Sequence, residues 1–323
     1  MSLFLHEHTE FKELVDITAH EQGIQDPSLV EKDYWLMHVL WSLQDLNLNF
    51  HLKGGTSLSK GYGFIHRFSE DIDIKIEPDE KLCGFKVYSG KNHDDKKHRE
   101  SRMNFFDWIA HFLKGKINGI VEVRRDYYFD DSQKFRSGGI RLIYKSHFIF
   151  DGLKEGILLE AGFDRTAPNQ PCSISSWAFA RAMTVKSLQI IDNQAKNVPC
   201  YEPKYTFVEK LQAVVRKFRH YKENQHGASL PANFIRHYYD LYQLIDRAEI
   251  QEFIGSVEYE KFKKERFGGD DTKVCNSDAF RLADPSDRAL FEREYSRSAS
   301  LYFKGRPSLQ DILTRIGRDL ERL

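Results

Sequence analysis

Two aspartates separated by a single residue are the strongest chemical signal in the sequence. Asp71 and Asp73 alternate with isoleucines over residues 71–76, so a β-strand would direct both carboxylates to one face. Paired glycines and two hydroxyl residues stand upstream, directly after a short β-like run at 49–53: Gly54, Gly55, Thr56 and Ser57. Glycines allow backbone N–H groups to approach a phosphate, and carboxylates are ligands that Mg²⁺ prefers. The pattern therefore predicts a nucleotide site that uses Mg²⁺, or Mn²⁺ in its place.

Each of these signals has a plainer interpretation when it is taken alone. A single Asp-x-Asp is more often a solvated strand edge, and a single Gly-Gly is more often a turn. Two carboxylates with Cα atoms about 7 Å apart repel each other, so a half-buried pair needs a cation or basic side chains to stay ionised. The order of strand, glycine turn, hydroxyls and acidic strand favours the nucleotide site.

A further carboxylate, Glu160, interrupts an otherwise apolar run at 156–163. Burial of an unpaired carboxylate is unfavourable, so Glu160 must reach a strand end or share a cation. A salt bridge at the strand end and a place in a cation site are both open interpretations.

Periodicity and capping signals predict the elements that must position these residues. Asp26-Pro27 is typical of the start of a helix, which we expect to run to about Leu46. Apolar periodicity predicts further helices at 103–113, 175–191, 207–218, 234–245 and 307–323. Strands are predicted at 49–53, 71–76, 119–129, 138–150 and 156–163, with a loop at 222–232. Prolines around residue 200 indicate a domain boundary at 197–204.

Composition excludes several classes of protein. Among 323 residues, 48 Lys plus Arg balance 48 Asp plus Glu, so no overall positive field favours nucleic acid. An apolar fraction of 41% is ample for a core. Four scattered cysteines indicate neither a CxxC metal site nor a disulfide framework. The N-terminus is not leader-like and no run reaches about 18 apolar residues, so we expect a soluble, cytoplasmic protein that binds no membrane.

Four groups of residues give the sequence a specific resemblance to a known family. They are Val30-Glu31-Lys32-Asp33-Tyr34-Trp35, Lys53-Gly54-Gly55-Thr56-Ser57-Leu58, Arg67-Phe68-Ser69-Glu70-Asp71-Ile72-Asp73, and Thr206-Phe207-Val208-Glu209-Lys210-Leu211 with Arg236-His237-Tyr238-Tyr239-Asp240-Leu241. The sequence resembles the AbiEii/AbiGii-type nucleotidyltransferase toxin family, a branch of the polymerase-β-like nucleotidyltransferases. The resemblance implies an α+β fold in which a polymerase-β-like domain, a mixed sheet flanked by helices, occupies 1–200. A mainly helical C-terminal domain at 201–323 would complete the active-site cleft.

The resemblance also implies roles for individual residues. Glu160 would complete the metal site of Asp71 and Asp73, with Asp164 as the alternative, and Lys210 would face the nucleotide phosphates. Further nucleotide contacts are implied for Lys53, Arg67 and Ser69, with Lys60 as a helper. Accessory places are implied for Lys32, Asp33, Arg236 and Asp240.

Some of these accessory residues have simpler interpretations. Glu31, Lys32 and Asp33 could be ordinary surface charges in the first turns of a helix, and Arg236 and Asp240, four residues apart, could form an intrahelical pair. The last segment also departs from the family pattern, because His237 stands where relatives commonly have an aspartate. Any role carried by that carboxylate is therefore in doubt.

The resemblance implies transfer of a nucleotide from a nucleoside triphosphate to a hydroxyl acceptor. The expected acceptor is the 3′ end of a tRNA, and the expected context is a type IV-like toxin-antitoxin or phage-defence system with an antitoxin partner. Basic clusters at 96–102, 124–125 and 216–222 could guide RNA, although each has acidic neighbours and could be a solvated surface. A nucleotide-binding sensor or pseudoenzyme, and a partner-binding defence module without transfer activity, are the alternatives.

Overall fold

The computed structural model describes residues 2–90, 95–148, 154–166, 168–185, 188–224, 230, 234–268 and 272–323. The chain divides into two compact units. Unit 1 comprises Met1–Tyr62 and Phe68–Tyr201, and unit 2 comprises Gly63–Arg67 and Glu202–Leu323. Unit 2 therefore includes one short segment that we expected in the first domain.

Unit 1 combines α-helices with β-strands. Its helices are α1 (Phe11–Gln22), α2 (Pro27–Asp45), α3 (Gly54–Thr56), α4 (Glu80–Cys83), α5 (Lys96–Leu113) and α6 (Trp177–Ala182). Its strands are β1 (Asn49–Lys53), β2 (Asp71–Glu77), β3 (Ile120–Asp126), β4 (Ser137–Tyr144), β5 (Ile157–Gly162), β6 (Asn169–Ile174) and β7 (Ala195–Tyr201). Short 3₁₀ turns lie at Leu5–Glu7 and Tyr127–Phe129, and one turn of π-helix at Ser57–Gly61 extends α3.

Within the described residues of unit 1, seven strands form one sheet in the order β3-β4-β5-β2-β1-β7-β6. Strand β2 is antiparallel to β1 and parallel to β5, and β1 is parallel to β7. The pairs β3–β4, β4–β5 and β6–β7 are antiparallel. The sheet is therefore mixed and flanked by helices, which confirms the α+β class. Along β2 the isoleucine face is completely buried and the aspartate face is half-buried, as the alternation predicts.

Helix α2 begins as its sequence predicts. The Asp26 side chain accepts a hydrogen bond from the Ser28 N–H at 2.8 Å, and Pro27 occupies the first helical position. The helix is almost entirely buried, including the three consecutive charges Glu31, Lys32 and Asp33, none of which is more than 1% exposed. The interpretation of these residues as ordinary surface charges is therefore wrong.

Helices are the regular elements in the described part of unit 2. They are α7 (Pro203–Glu223), α8 (Arg236–Ile245), α9 (Ala248–Phe253), α10 (Val257–Phe267), α11 (Pro285–Arg297) and α12 (Leu309–Gly317), with 3₁₀ turns at Val274–Asn276, Asp278–Phe280 and Ala299–Leu301. Amphipathic α8 buries Tyr238, Tyr239 and Leu241, and α12 buries Leu309 and Ile312. None of the helices that the structure describes is long and apolar enough to cross a bilayer.

Several predicted boundaries need correction. The glycine turn leads at once into a helix, because α3 spans Gly54–Thr56. The helix predicted at 175–191 ends at Ala182, and the strand predicted at 138–150 ends at Tyr144. Parts of these two predictions, at 186–187 and 149–150, and most of the predicted loop at 222–232, lie outside the described residues.

Candidate active site

A row of charged side chains crosses three adjacent strands of the unit 1 sheet. Lys53 at the end of β1 pairs in register with Asp73 on β2, and Asp73 pairs with Glu160 on β5. Residues directly opposite each other on paired strands present their side chains to the same face. Asp71, two residues earlier on β2, shares this face. The structure thus brings together the three carboxylates that we expected in the metal site and one lysine expected at the nucleotide.

The start of α3 is fitted closely against this row. Gly54 has φ +71°, in the left-handed region that favours glycine, and a Cβ there would lie only 2.2 Å from Asp73 Oδ2. Both features favour glycine at this position. The absence of a side chain lets the acidic strand and the start of the helix approach each other.

The two hydroxyl residues after the glycines bond to the protein backbone. Thr56 Oγ1 donates to the Asp71 carbonyl at 2.6 Å, and Ser57 Oγ donates to the Tyr201 carbonyl at 3.4 Å. Both residues are completely buried. Their hydroxyls therefore tie α3 to strands β2 and β7, and their predicted contact with phosphate remains a prediction.

Asp71 forms an ion pair with a lysine that sequence analysis missed. Lys154, just before β5, places its Nζ 2.8 Å from Asp71 Oδ2. The other oxygen, Asp71 Oδ1, is buried and has no hydrogen-bond partner within the described ranges. No local periodicity or motif marks Lys154, because its contact joins positions 83 residues apart.

Glu160 lies in an environment that disfavours its charge. Burial, followed by the charges of Asp73 and Asp71, raises the pKa of Glu160, while Lys154 and Lys53 oppose the shift. The alternative acid, Asp164, lies beyond the end of β5, is half exposed and forms an ion pair with Arg136 at 3.6 Å. Glu160, and not Asp164, is therefore the acid in register with Asp73.

Lys32 supports the segment that carries Lys154. Its Nζ donates to the Lys154 carbonyl at 2.5 Å and lies 3.9 Å from Glu70 Oε2. Burial lowers the pKa of Lys32 to about 8, although Glu70 and Asp71 oppose the shift. Lys32 therefore lies close to the acidic row, which consists of Asp71, Asp73 and Glu160, and bonds to the backbone there.

Asp33 also connects two separate segments. It forms an ion pair with Lys60 at the end of the π-turn, and its Oδ2 accepts the Trp177 N–H at 2.9 Å at the start of α6. Lys60 also lies 4.2 Å from the centre of the Trp177 ring. Burial raises the pKa of Asp33, although the positive charge of Lys60 opposes the shift. Ser69 lies half-buried in the stretch that leads into β2.

A second charged cluster lies within unit 2. Asp240 on α8 accepts two bonds of 2.7 Å from Arg67, through Nε and Nη2, and one of 2.6 Å from Lys210 on α7. All three side chains are buried, and the two cations hold the pKa of Asp240 far below its usual range against the effect of burial. The expected partner of Asp240 was its helical neighbour Arg236. Asp240 instead pairs with Arg67 and Lys210, which are distant from it in the sequence.

His237 sits beside this cluster as a neutral imidazole. Burial, with the nearby charges of Lys210 and Lys217, holds its pKa well below the usual value. The Lys217 Nζ lies 3.3 Å from His237 Nε2, so the neutral ring can accept from an ammonium. The resemblance led us to expect a carboxylate at this position, and the chain has a ring that can accept a hydrogen bond instead.

The sequence matches the family described as nucleotidyl transferase AbiEii toxin, type IV toxin-antitoxin system, over residues 35–315. The chain belongs to the AbiEii family. No curated protein matches it. Two Helicobacter pylori crystal structures are similar at low identity: JHP933, at 16% identity over 90% of this chain and 94% of that one with a TM-score of 0.38, and a protein proposed to be a nucleotidyltransferase, at 17% over 91% and 97% with a TM-score of 0.40. Both scores are too low to add to the family assignment.

Nucleotidyltransferases of the AbiEii kind commonly use a divalent metal. Among the described residues, no three His, Cys, Asp or Glu side chains are arranged as a metal cage. Mg²⁺ commonly takes only one or two protein carboxylates and leaves its other positions to water and substrate phosphates, so a cage is not required. Within the described part of the chain, Asp71 Oδ1 has no hydrogen-bond partner, and the Asp73 carboxylate lies close against Gly54. Asp71 and Asp73 can therefore supply two such carboxylates. The donor set of this AbiEii protein therefore fits a divalent cation.

The predicted basic clusters of the AbiEii chain are partly neutralised. Arg124 pairs with Glu122 and Glu155, and Arg125 with Asp107 and Asp130. The cluster at 96–102 has an ion pair from Lys96 to Glu100 and a buried Arg102, and the cluster at 216–222 has pairs from Arg219 to Glu223 and from Lys222 to Asp287. The structure favours the interpretation of these clusters as paired surface charges.

Proposed function

We propose that this AbiEii protein transfers a nucleoside monophosphate from a nucleoside triphosphate to a hydroxyl acceptor. The observation that supports the proposal is the row of Asp71, Asp73 and Glu160 on adjacent strands, with Lys53 and the glycine start of α3 at one end. Clustered carboxylates beside a glycine turn suit a metal-bound polyphosphate.

Asp71 and Asp73 would hold the divalent ion, Mg²⁺ or Mn²⁺, with Glu160 as the third ligand. When bound, the ion would neutralise phosphate charge and align the attacking and leaving oxygens. Gly54 and Gly55 would bring the backbone to the phosphates, and Lys53 would offset their charge. These groups act by positioning and electrostatic stabilisation, which carry most of phosphoryl-transfer catalysis.

Glu160 is also our candidate base for the acceptor hydroxyl. In its ionised form this carboxylate, which shares a sheet face with Asp73, can accept the hydroxyl proton. Once Glu160 has taken the proton, the acceptor oxygen can attack the α-phosphorus, and pyrophosphate departs on the opposite side.

The cluster in unit 2 supports phosphate binding through its charge. Two cations, Arg67 and Lys210, surround the single carboxylate Asp240, so the cluster carries one net positive charge when all three are ionised. We propose Lys210 as a phosphate contact on this basis. Arg67, Ser69, Lys32, Asp33 and Arg236 are proposed as supporting residues.

We further propose that the acceptor is an RNA 3′ end, with tRNA as the first candidate, and that a partner antitoxin restrains the activity. Membership of a type IV toxin-antitoxin family supports the antitoxin partner, whereas the RNA acceptor is carried over from the resemblance alone. A role in phage defence and a cytoplasmic location belong to the same proposal.

The decisive experiment incubates the purified protein with Mg²⁺, total cellular RNA and each of four α-³²P-labelled nucleoside triphosphates in turn. We expect one nucleotide to label an RNA of tRNA size, and we expect Asp71→Asn with Asp73→Asn to abolish the labelling. Transfer by a well-folded double variant would falsify the assignment. Nucleotide binding without labelling would instead indicate a sensor or pseudoenzyme, and neither binding nor labelling would indicate a partner-binding module.

A matched pair of variants tests the third carboxylate. Glu160→Gln removes the acid that is in register with Asp73, whereas Asp164→Asn removes the exposed acid four residues later. We expect the first variant to lose transfer and the second to retain it. The reverse result would move the assignment to Asp164.

A further inference from the structure

Buried charges hold in place the lysine that is bound to Asp71. The Lys154 Nζ lies 2.8 Å from Asp71 Oδ2 and 4.8 Å from the centre of the Phe129 ring. The Lys154 carbonyl accepts from Lys32 at 2.5 Å, and its N–H donates to Glu70 at 3.3 Å. Lys32 and Glu70 are only 1% and 4% exposed. Both backbone polar groups of one half-buried lysine are therefore fixed by buried ionisable side chains.

The next residue is fixed in the same manner. The Glu155 carbonyl accepts from Arg141 Nη1 at 3.1 Å, and Arg141, itself 8% exposed, also bonds to Asp126 at the end of β3. An ordinary surface ion pair adds little to stability, because fixing a long exposed side chain in one geometry costs entropy. Such a pair does not need support from buried groups. The arrangement fixes an ammonium group at one of the carboxylates proposed to bind metal.

An ammonium at this place opposes the binding of a divalent ion. The two cations would share Asp71, and like charges within a few ångströms in a half-buried site repel strongly. A triphosphate changes this balance, because its negative charges attract both the metal and the ammonium. Lys154 can then leave Asp71 for a phosphate oxygen.

We propose that Lys154 is an internal counter-cation that competes with the divalent ion for Asp71 and thereby couples metal binding to triphosphate binding. This inference rests on the proposed function of the acidic row. In the free protein the lysine neutralises Asp71 and keeps metal affinity low. In the nucleotide complex it contacts phosphate as a positioning residue.

The test measures Mn²⁺ affinity by electron paramagnetic resonance, with and without an α,β-methylene nucleoside triphosphate. We compare the unmodified protein with Lys154→Met, Lys154→Arg and Lys75→Met. Lys75 is the control for the general field, because it lies on the same face of β2 and pairs with Glu77 instead of Asp71. Thermal unfolding shows whether each variant is folded.

Without nucleotide, we expect Lys154→Met to bind Mn²⁺ about tenfold more tightly, since one opposing charge is removed. Lys154→Arg and Lys75→Met should stay within about threefold of the unmodified protein. The analogue should tighten Mn²⁺ binding much less in Lys154→Met than in the unmodified protein. Unchanged or weaker Mn²⁺ binding by Lys154→Met overturns the inference, as does an equal gain in Lys75→Met.

An Asp71→Asn variant separates this inference from the proposed function. If it weakens Mn²⁺ binding while Lys154→Met has no effect, the counter-cation role fails and the metal site stands. If Asp71→Asn leaves Mn²⁺ binding unchanged, the metal site itself is wrong and both proposals fail.

Discussion

Gly54→Ala should separate catalytic geometry from stability. The added Cβ would lie 2.2 Å from Asp73 Oδ2, so the carboxylate must move by about 1 Å to reach ordinary contact. A carboxylate at the end of a flexible side chain can move at little energetic cost, whereas a displacement of about 1 Å in an active site can lower the rate about 100-fold. The left-handed backbone adds a destabilisation of about 1–2 kcal/mol.

Gly84→Ala is the matched control. Gly84 ends α4 with φ +81°, and a Cβ there would meet nothing within 4 Å. Both alanines therefore carry a similar backbone penalty, which urea unfolding should show as similar losses in the free energy of unfolding. In the RNA-labelling assay we expect transfer to fall about 100-fold in Gly54→Ala only. Transfer within threefold of the Gly84→Ala level would refute the role of this close contact.

Three further predictions concern buried polar groups. Asp240→Asn removes the carboxylate that pairs with the buried cations Arg67 and Lys210, and it should lower the free energy of unfolding by about 3–5 kcal/mol. Asp246→Asn, at a more exposed ion pair, should lower it by less than about 1 kcal/mol, and equal losses in urea unfolding would contradict this. Burial holds the pKa of His38 at about 4, below its value of about 6.5 in the unfolded chain. The unfolded chain therefore takes up the proton first as the pH falls, and the free energy of unfolding decreases by about 3 kcal/mol between pH 6.5 and pH 4. Urea unfolding of His38→Gln should therefore depend less steeply on pH in this window, and an unchanged slope would exclude His38 as the cause. Thr56→Val should destabilise by about 1–3 kcal/mol because it removes the donor to the Asp71 carbonyl, and Ser57→Ala should cost less because its bond is longer; thermal unfolding tests the order.

Local pattern was sufficient to predict the strands of the acidic row. Period-two alternation determines which face of β2 is buried, so the shared face of Asp71 and Asp73 follows directly from the sequence. The bounds of β1 agree with the prediction because the glycine pair ends the strand. The pairing of Asp73 with Glu160 could not be predicted from periodicity, because β5 lies far along the chain and its register depends on the whole sheet.

Side-chain partners were much less predictable. Arg67 and Asp240 are 173 residues apart, and their bidentate pair is formed only when α8 packs within its unit. The sequence suggested Arg236 as the partner because helical spacing shows only local neighbours. Lys154 carried no signal at all, since an isolated lysine before an apolar strand is common and its role depends on the buried groups around it.

Helix α2 shows why a matched motif need not consist of catalytic residues. Its three consecutive buried charges each bond to a different segment. Glu31 accepts the His147 N–H at 2.9 Å, Lys32 donates to the Lys154 carbonyl, and Asp33 binds Lys60. Burial of three ionisable groups is unfavourable unless each finds a partner, so these pairings fix the paths of three separate chain segments.

A substitution on α2 could therefore abolish activity by displacing those segments, even where the substituted residue never contacts the nucleotide. Metal affinity distinguishes the two cases. A positioning residue such as Lys32 should change Mn²⁺ binding through Lys154, whereas Asp33 acts on the π-turn and α6 and should leave Mn²⁺ binding in the absence of nucleotide largely intact. The motif on α2 is thus explained as structural, because Lys32 bonds to the segment that carries Lys154, while Glu31 and Asp33 bond to other segments.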